Sequence, residues 1–380
     1  MVFVLASLIA LHRIGGEPVS QHYFLFTEAG KYFWRHQSPY GVPISPIGLY
    51  FYSPACAMFF FYPFSLLPTM PGEFIYVLLS WAVFVYGSFA FIKELKLRNS
   101  QWYWLFITAQ ILGAIWATKI EIVMTGLLLL CVSWILRKKW PFFSALLLGM
   151  IACWKFQPLP ALGLVCLALF TLRRDYLWPL GFAASLIFWF ATPLVQYSFS
   201  ELRALHQVQS SSLQPFLRGA VFDFDNIYSF FNASFGLRVA PEKTGLISAA
   251  VVILLTGFFS LALRRFYSTM KNPARETRAI TLALGLGSSF TLLFNPISQN
   301  NAYIQIAPLI LAGIYEIENL ADKQVKKIGI AVMAFAWLIL TFSYNDLTQS
   351  WLRPLTLKPG AVALLPILLL VFATRDFQKK

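Results

Sequence analysis

The sequence predicts an all-α integral membrane protein, a polytopic bundle of about twelve transmembrane helices. Three observations lead to this fold class. The 380 residues are 58% hydrophobic and only 12% charged, with a mean hydropathy of +0.66, whereas about a quarter of a soluble domain is charged. The apolar residues form long runs that do not alternate with polar ones, which excludes a membrane β-barrel. Basic residues collect in every second connector, as expected when a chain crosses a membrane repeatedly.

The apolar runs are the predicted transmembrane helices. A helix needs about 20 apolar residues to cross the hydrocarbon core, and shorter runs indicate tilted helices or helices paired around a polar cavity. Eleven runs are strong enough, and they lie near residues 74–92, 101–117, 121–136, 141–154, 158–172, 177–197, 246–264, 279–295, 302–317, 327–344 and 361–374. A weaker segment, Val2 to Leu11, is interpreted as half of a first helix and brings the predicted total to twelve.

The basic residues predict the orientation of the chain. Six connectors hold 19 of the 30 Lys and Arg residues, and they lie at 93–98, 137–139, 173–174, 264–278, 323–327 and 375–380. Loops rich in Lys and Arg stay in the cytoplasm, so these six connectors and both termini are predicted to be cytoplasmic. The net charge of +14 is explained by these loops, and no nucleic-acid partner is predicted.

The remaining connectors are then non-cytoplasmic, and two of them are long. The chain is predicted to form a single transmembrane domain, 1–380, with large outer loops at 12–73 and 198–245. The stretch 48–68 is apolar but contains three prolines, which interrupt a regular helix. It is therefore interpreted as interfacial helix or a re-entrant segment within the first outer loop, because a full span would reverse every later loop.

Lys155 is the sharpest candidate for a binding residue. It lies with Gln157 in the turn Trp154-Lys155-Phe156-Gln157-Pro158 between two apolar runs, with no carboxylate close by in the sequence. An ionisable residue between membrane segments points to function, and an unpaired cation on the outer side suits a phosphate or pyrophosphate. The alternative is a lysine that reaches from a helix end to the membrane surface.

Two further outer connectors contain candidate site residues. Lys119 and Glu121 occupy a tight connector, where they either bind substrate or form a local ion pair that caps two helices. Asn300, Asn301 and Tyr303 belong to an amide-rich turn after Pro296. Amides both donate and accept hydrogen bonds, which suits sugar hydroxyls, although such residues also cap helices.

The first outer loop contains candidates for a general base. Glu17 and His22 carry groups that can accept a proton from a hydroxyl, although each could also be an ordinary loop residue. The chain lacks a Walker A motif, a GxGxxG motif before a helix, HExxH and CxxC. Nucleotide-driven transport and zinc hydrolysis are therefore disfavoured, and no metal or cofactor is predicted.

Five stretches together resemble glycosyltransferase family 87, a group of polyprenyl-phosphate-dependent, mannosyltransferase-like enzymes with the C-type membrane fold. The stretch with Lys155-Phe156-Gln157-Pro158 is the most specific of the five. The five run from about residue 15 to about residue 315, and they are Glu28-Ala29-Gly30 with Ser38-Pro39-Tyr40-Gly41, Tyr50-Phe51-Tyr52-Ser53-Pro54, Arg137-Lys138-Lys139 with Lys155-Phe156-Gln157-Pro158, Ser210-Ser211-Ser212-Leu213, and Asn295-Pro296-Ile297-Ser298 with Tyr303.

The resemblance implies a reaction and assigns roles. Such enzymes pass a sugar from a polyprenyl-phosphate donor to a lipid-linked or glycan hydroxyl outside the cytoplasmic membrane, usually with inversion. An acid shortly after the first helix normally serves as base, and Gln21-His22-Tyr23-Phe24 occupies that place without an Asp. The resemblance implies that Lys155 and Gln157 face the donor phosphate or sugar, and that His22, Glu17 or Glu121 substitutes as the base. The further candidate substrate-binding residues are Lys119, Arg35, Tyr40, Asn300, Asn301 and Tyr303.

Three functions are therefore predicted. The first is a multi-pass glycosyltransferase of the cell membrane that acts on its non-cytoplasmic face, with the sugar donor, the acceptor and membrane lipids as partners. The second is a transporter or flippase of a lipid-linked glycan. The third is a non-catalytic scaffold derived from the enzyme fold, which the missing Asp would favour.

Overall fold

The computed structural model describes residues 20–45, 48–220, 226–237, 239–269, 273–294, 300–342 and 357–373. Within these ranges the chain is almost entirely helical. In chain order the α-helices are α1 (Gln21–Trp34), α2 (Tyr62–Ser65), α3 (Thr69–Leu95), α4 (Ser100–Trp116), α5 (Glu121–Leu136), α6 (Pro141–Trp154), α7 (Leu159–Ala168), α8 (Leu177–Ala191), α9 (Phe199–Ala220), α10 (Ile227–Phe235), α11 (Pro241–Thr269), α12 (Pro273–Phe294), α13 (Ala307–Asn319), α14 (Lys323–Phe342) and α15 (Leu357–Ala373).

Short irregular helices and one small strand pair complete the described chain. Two π-helices extend α2 and α7 at Cys56–Phe61 and Leu169–Arg173, and two 3₁₀-helices lie at Thr192–Val195 and Asn300–Ile306. Strands β1 (Pro43–Ser45) and β2 (Gly48–Leu49) pair antiparallel.

Within the described residues, each of the eleven predicted apolar segments contains a helix. Five described helices are both long and apolar enough to cross a membrane, and they lie at Thr69–Leu95, Leu177–Val195, Lys243–Leu261, Arg275–Phe294 and Lys323–Thr341. The segment Val2 to Leu11 lies outside the described residues. The total of about twelve spans stays a prediction.

The long loops predicted at 12–73 and 198–245 contain helices of their own. Helix α1 lies in the first half of the first loop, and α9 occupies the first half of the second. The stretch 48–68 contains a π-helix and the one-turn helix α2, which has Pro63 in its first turn. Its predicted position in the membrane interface stays a prediction.

The chain divides into two compact units. Unit 1 comprises Met1–Ser88, Ile111–Phe156 and Leu180–Gly219, and unit 2 comprises Phe89–Gln110, Gln157–Pro179 and Ala220–Lys380. The predicted single domain at 1–380 stays a prediction.

Unit 1 is packed through aromatic rings and closely approaching backbones. Helix α1 lies against the π-helix at Cys56–Phe61, where Phe26 stacks on Phe61 with ring centroids 4.3 Å apart. Gly30 permits this approach, since a Cβ at that position would lie 2.8 Å from the Ala57 carbonyl oxygen. Small residues at such contacts are typical of helices that associate within membranes.

Unit 2 is built around α12. This helix packs on α7, α13 and α15, and 83% of its apolar window is buried. Gly287 lies directly against the backbone of Ala161. In α11 only 11% of the apolar window is buried. Most of that helix therefore presents apolar side chains outward, as expected for a helix solvated by lipid.

Several helices end on a left-handed residue that is not glycine. Lys96 and Lys138 have φ angles of 50° and 55° at the ends of α3 and α5. The N–H of Lys139 donates to the Trp134 carbonyl oxygen at 2.9 Å, and that of Lys138 donates to Ile135 at 3.1 Å. This is the bonding pattern of the Schellman motif, whose left-handed position is usually occupied by glycine.

Candidate functional site

A buried group of charged and aromatic side chains lies in unit 1, and we call it the lysine–glutamate cluster. Three of its members come from the two tight connectors at 118–120 and 155–157 or from the helix that follows, and the others come from the first predicted outer loop. The cluster consists of His22, Tyr52, Lys119, Glu121 and Lys155.

Glu121 and Lys155 form the centre of the cluster. Glu121 is the first residue of α5, and Lys155 follows the last residue of α6. The Lys155 ammonium donates to Oε1 of Glu121 in a buried ion pair, with side-chain exposures of 12% for Lys155 and 3% for Glu121. Their contact brings the start of α5 and the end of α6 together within unit 1.

This ion pair corrects one expectation from the sequence. Lys155 was predicted to be an unpaired cation, because no carboxylate lies near it in the sequence, yet its partner stands 34 residues earlier. Burial alone lowers the pKa of Lys155, but the Glu121 carboxylate and the Tyr52 hydroxyl outweigh burial and raise it above its usual value. Lys155 is therefore held as a cation by its contact with Glu121 inside unit 1.

The two oxygens of the Glu121 carboxylate differ. Oε1 is held by Lys155, whereas Oε2 is buried and has no hydrogen-bond partner among the described residues. Buried polar atoms are nearly always hydrogen-bonded, and an exception in a folded protein points to a missing partner such as a ligand or water. Glu121 Oε2 is therefore the atom at which a substrate hydroxyl could complete the site.

Lys119 links the centre of the cluster to α1. Its Nζ lies 2.8 Å from Nε2 of His22, and the residue is only 5% exposed. Burial lowers the pKa of Lys119 to about 8, the charge of Glu121 opposes this shift, and the charge of Lys155 adds to it. A protonated lysine can only donate, so Nε2 of His22 accepts while Lys119 is charged.

Tyr52 forms one wall of the cluster. Its ring centroid lies 5.0 Å from the Lys155 ammonium, within the range of a cation–π interaction. Burial raises the pKa of Tyr52, although the nearby Lys155 opposes this shift. The hydroxyl of Tyr40 donates to the Tyr52 carbonyl oxygen at 2.8 Å. Tyr40 is itself buried, so its described contact holds the backbone of Tyr52.

Other predicted site residues do not belong to this cluster, or lie outside the described residues. Arg35 is exposed at the end of α1, 13 residues after His22 and therefore about 20 Å further along the helix. Glu17 lies outside the described residues. Asn300 and Asn301 begin a 3₁₀-helix in unit 2, and Tyr303 is fully buried there.

Gln157 belongs to a polar contact within unit 2. Its side-chain Oε1 accepts a hydrogen bond of 2.7 Å from Nε2 of Gln305, and its carbonyl oxygen accepts one from the Thr291 hydroxyl. Gln305 is almost buried and was not among the predicted residues. The pairing fixes the orientation of the Gln157 amide.

The candidates predicted from the sequence omit two residues: Tyr52, a member of the cluster, and Glu73, which accepts a hydrogen bond from Thr118 beside Lys119. Tyr52 belongs to the Tyr50-Phe51-Tyr52-Ser53-Pro54 stretch, and Glu73 directly precedes the predicted apolar run at 74–92. A carboxylate near the start of a long apolar helix, as in Thr69-Met70-Pro71-Gly72-Glu73, is a signal that could have indicated Glu73.

A comparison with protein families decides the identity of the chain. The model of glycosyltransferase family 87 matches residues 50–296, which is well over half of the sequence. The chain belongs to glycosyltransferase family 87. No curated protein and no solved structure matches it.

Membership of glycosyltransferase family 87 confirms the resemblance and supports glycosyltransferase activity among the three predicted functions. The donor, the acceptor and the face of the membrane stay predictions. The chain is a membrane glycosyltransferase, with a sugar donor and an acceptor as its substrates. The match covers Tyr52, Lys119, Glu121 and Lys155 of the lysine–glutamate cluster. No group of His, Cys, Asp and Glu residues suited to a metal ion occurs in the part of the chain that the structure describes.

Proposed function

We propose that this glycosyltransferase moves a sugar from a polyprenyl-phosphate donor to a hydroxyl of a lipid-linked or glycan acceptor. The reaction would take place on the non-cytoplasmic face of the cell membrane. The observation that carries this proposal is the lysine–glutamate cluster, which combines two buried ammonium groups with a carboxylate that has one open oxygen.

The two lysines suit the phosphate of the donor. Lys119 and Lys155 lie close enough for the charge of Lys155 to lower the pKa of Lys119, so an anion between them would stabilise both. Hydrogen bonds between charged groups are shorter and stronger than neutral ones. As the bond between the anomeric carbon and the phosphate oxygen breaks, negative charge grows on the phosphate, and the ammonium groups stabilise it.

Glu121 suits the role of general base. In a single displacement the acceptor oxygen attacks the anomeric carbon, the bond to the phosphate breaks on the opposite face, and the proton of the acceptor hydroxyl passes to a base. Glu121 Oε2 would take this proton, while Lys155 holds Oε1 and keeps the carboxylate oriented. Polyprenyl phosphate then leaves, and the new glycoside has the inverted configuration.

His22 has a positioning role in this scheme. With Nε2 accepting from Lys119, its proton lies on Nδ1, so the ring offers no further acceptor while Lys119 is charged. His22 is therefore a weaker candidate for the general base than Glu121 in this geometry.

The proposal is tested with membranes that contain each variant and labelled polyprenyl-phosphate sugar. Glu121→Gln removes the base and keeps the size of the side chain, and a general base contributes about 10²- to 10⁴-fold, so labelled product should fall by that factor. Lys155→Ala should fall as strongly. Glu201→Gln, which changes an exposed carboxylate in α9, serves as the matched control and should transfer normally.

Three results would overturn the assignments. Wild-type transfer by both Glu121→Gln and Lys155→Ala would remove the cluster from the reaction. Loss in His22→Gln with full activity in Glu121→Gln would move the base to His22. Product from a nucleotide sugar, with none from polyprenyl-phosphate sugar, would exclude the lipid-phosphate donor.

The proposed sidedness has its own test at two equally exposed positions. Phe156 and Trp140 are each 58% exposed, and they flank α6 at its two ends. With a membrane-impermeant thiol reagent on intact cells, Phe156→Cys should be labelled and Trp140→Cys should not. The reverse pattern would place the cluster on the cytoplasmic side.

A further inference from the structure

A second carboxylate, that of Glu73, joins the elements that carry the lysine–glutamate cluster. Glu73 lies in the second turn of α3 and is only 4% exposed. Its Oε1 and Oε2 accept hydrogen bonds from the backbone N–H of Ser20 at 3.1 and 3.2 Å. Its Oε1 also accepts one of 2.9 Å from the Thr118 hydroxyl. These partners stand 53 and 45 residues away in the sequence.

Both partners of Glu73 lie next to members of the cluster. Ser20 is the N-cap residue of α1, two positions before His22. Thr118 directly precedes Lys119. The hydroxyl of Ser20 also donates to the Ala117 carbonyl oxygen at 3.4 Å, so the start of α1 and the connector 117–119 are bonded to each other as well as to Glu73.

Thr118 has a conformation that its residue type disfavours. Its φ angle is 52°, in the left-handed region where a β-branched residue is a genuine outlier. It closes α4 with hydrogen bonds from its own N–H to Ile115 and from the N–H of Lys119 to Ala114, each 3.0 Å long. Glycine normally occupies this position. A strained residue persists only where its surroundings hold it, and the hydrogen bond to Glu73 is such a restraint.

We infer that Glu73 is a positioning residue of the glycosyltransferase: it holds Thr118 in the left-handed conformation and thereby directs Lys119 toward His22 at the donor-phosphate site. The inference rests on the proposed function of the cluster. Glu73 itself needs no contact with substrate. Its two oxygens fix the helix start and the connector at once, so the 2.8 Å contact between Lys119 and His22 depends on both bonds.

The inference is tested by a double-mutant cycle between Glu73 and Thr118. Glu73→Ala should weaken use of the donor by about 10- to 100-fold, the scale of a misplaced catalytic group, mainly as a higher KM for polyprenyl-phosphate sugar. Glycine adopts positive φ without strain, so in the Thr118→Gly background most of that loss should disappear. Glu73→Gln keeps one acceptor oxygen, so its loss of donor use should lie between that of the wild type and that of Glu73→Ala. Glu201→Gln again serves as the control.

The outcomes separate this inference from the proposed function. If Glu121→Gln and Lys155→Ala lose transfer while Glu73→Ala and Glu73→Gln keep the wild-type KM, the positioning role is wrong and the cluster stands. An equal loss in the wild-type and Thr118→Gly backgrounds would also overturn it, because the strain would then be irrelevant. If Glu73→Ala does not accumulate in membranes, the same cycle with Glu73→Gln decides by the same criterion.

Discussion

Two buried ion pairs, one in each unit, differ in how completely their atoms are bonded. In unit 2, Nε of Arg278 donates to both carboxylate oxygens of Glu316 at 2.9 and 3.1 Å, and Nη2 donates to Oε2 at 2.8 Å. The same Nη2 donates to the Phe372 carbonyl oxygen at 2.7 Å. In unit 1, Lys155 bonds one oxygen of Glu121, and the other has no partner among the described residues.

The difference separates a pair that fastens helices from a pair that is available for chemistry. Arg278 joins α12 to α13 and α15 with a planar group whose geometry matches a carboxylate. The lysine ammonium is a compact charge without that planar geometry, and Lys155 bonds only one oxygen of Glu121. We therefore expect variants of the first pair to lose stability alone, and variants of the second to lose activity in addition to any stability.

The largest effect is expected at the Arg278–Glu316 ion pair. Arg278→Ala leaves the Glu316 carboxylate buried without its cation, which costs about 3–5 kcal/mol. The measurement is the thermal unfolding midpoint of the detergent-solubilised protein, which should fall sharply. Arg278→Met combined with Glu316→Leu removes both charges and should recover most of the loss. An unchanged midpoint for Arg278→Ala would contradict this comparison, since the Arg278–Glu316 pair would then contribute nothing to stability.

A smaller effect is expected at Lys119, and it should depend on pH. Burial lowers the pKa of Lys119 from 10.5 to about 8, so the ammonium loses its proton as pH rises through 8. The kcat/KM for the donor should then fall about tenfold per pH unit above that point, because this parameter reports groups of the free enzyme. Lys119→Met should lose about 1.5–3 kcal/mol of donor binding, roughly 10- to 100-fold.

Lys119→Arg provides the matched control for this titration. Arginine stays protonated at every accessible pH, so the decline above pH 8 should disappear even if the maximum rate is lower. A decline that persists in Lys119→Arg would assign the titration to another group.

A still smaller effect is expected at Tyr52, which forms one wall of the lysine–glutamate cluster. Tyr52→Leu removes a cation–π contact with Lys155 that is worth about 0.5–2 kcal/mol, so sugar transfer should fall several-fold with little change in the unfolding midpoint. Tyr52→Phe keeps the ring and should transfer faster than Tyr52→Leu. Equal rates for these two variants would show that the ring does not act on Lys155.

The smallest effect is expected at a partly exposed pair on α1. Glu28 and Lys31 lie 2.6 Å apart with side-chain exposures of 23% and 34%, and such pairs contribute about 0–1 kcal/mol. Glu28→Ala should therefore leave the unfolding midpoint nearly unchanged. A fall in the midpoint as large as that of Arg278→Ala would mean that burial does not explain which ion pair contributes more to stability.

The helices were predictable from the sequence because hydrophobic runs are a local signal. Every run became a helix, and the connectors at 118–120 and 155–157 begin and end within a residue or two of the prediction. Helices α1 and α9 were not located in advance, because their polar residues and their position in predicted loops concealed them. Lys119, Glu121 and Lys155 were chosen for a local reason, namely charge between apolar runs.

The bonds of the site were not predictable in the same way. Glu121 and Lys155 stand 34 residues apart, and Ser20 and Glu73 stand 53 apart, so nothing in the local sequence pairs them. Thr118 gave no signal for a left-handed turn, because its residue type argues against one. These features follow from tertiary packing, which overrides local preference.

The lysines at the left-handed helix ends have a consequence for how the chain enters the membrane. For a residue with a Cβ, the left-handed conformation costs roughly 1–2 kcal/mol, and Lys96 and Lys138 accept this in turns where glycine would fit better. In exchange, each turn keeps a positive charge within a few residues of a membrane segment, where charge directs insertion. Glycine at both positions would thus give a sturdier folded protein whose segments are more prone to insert in the wrong direction during synthesis.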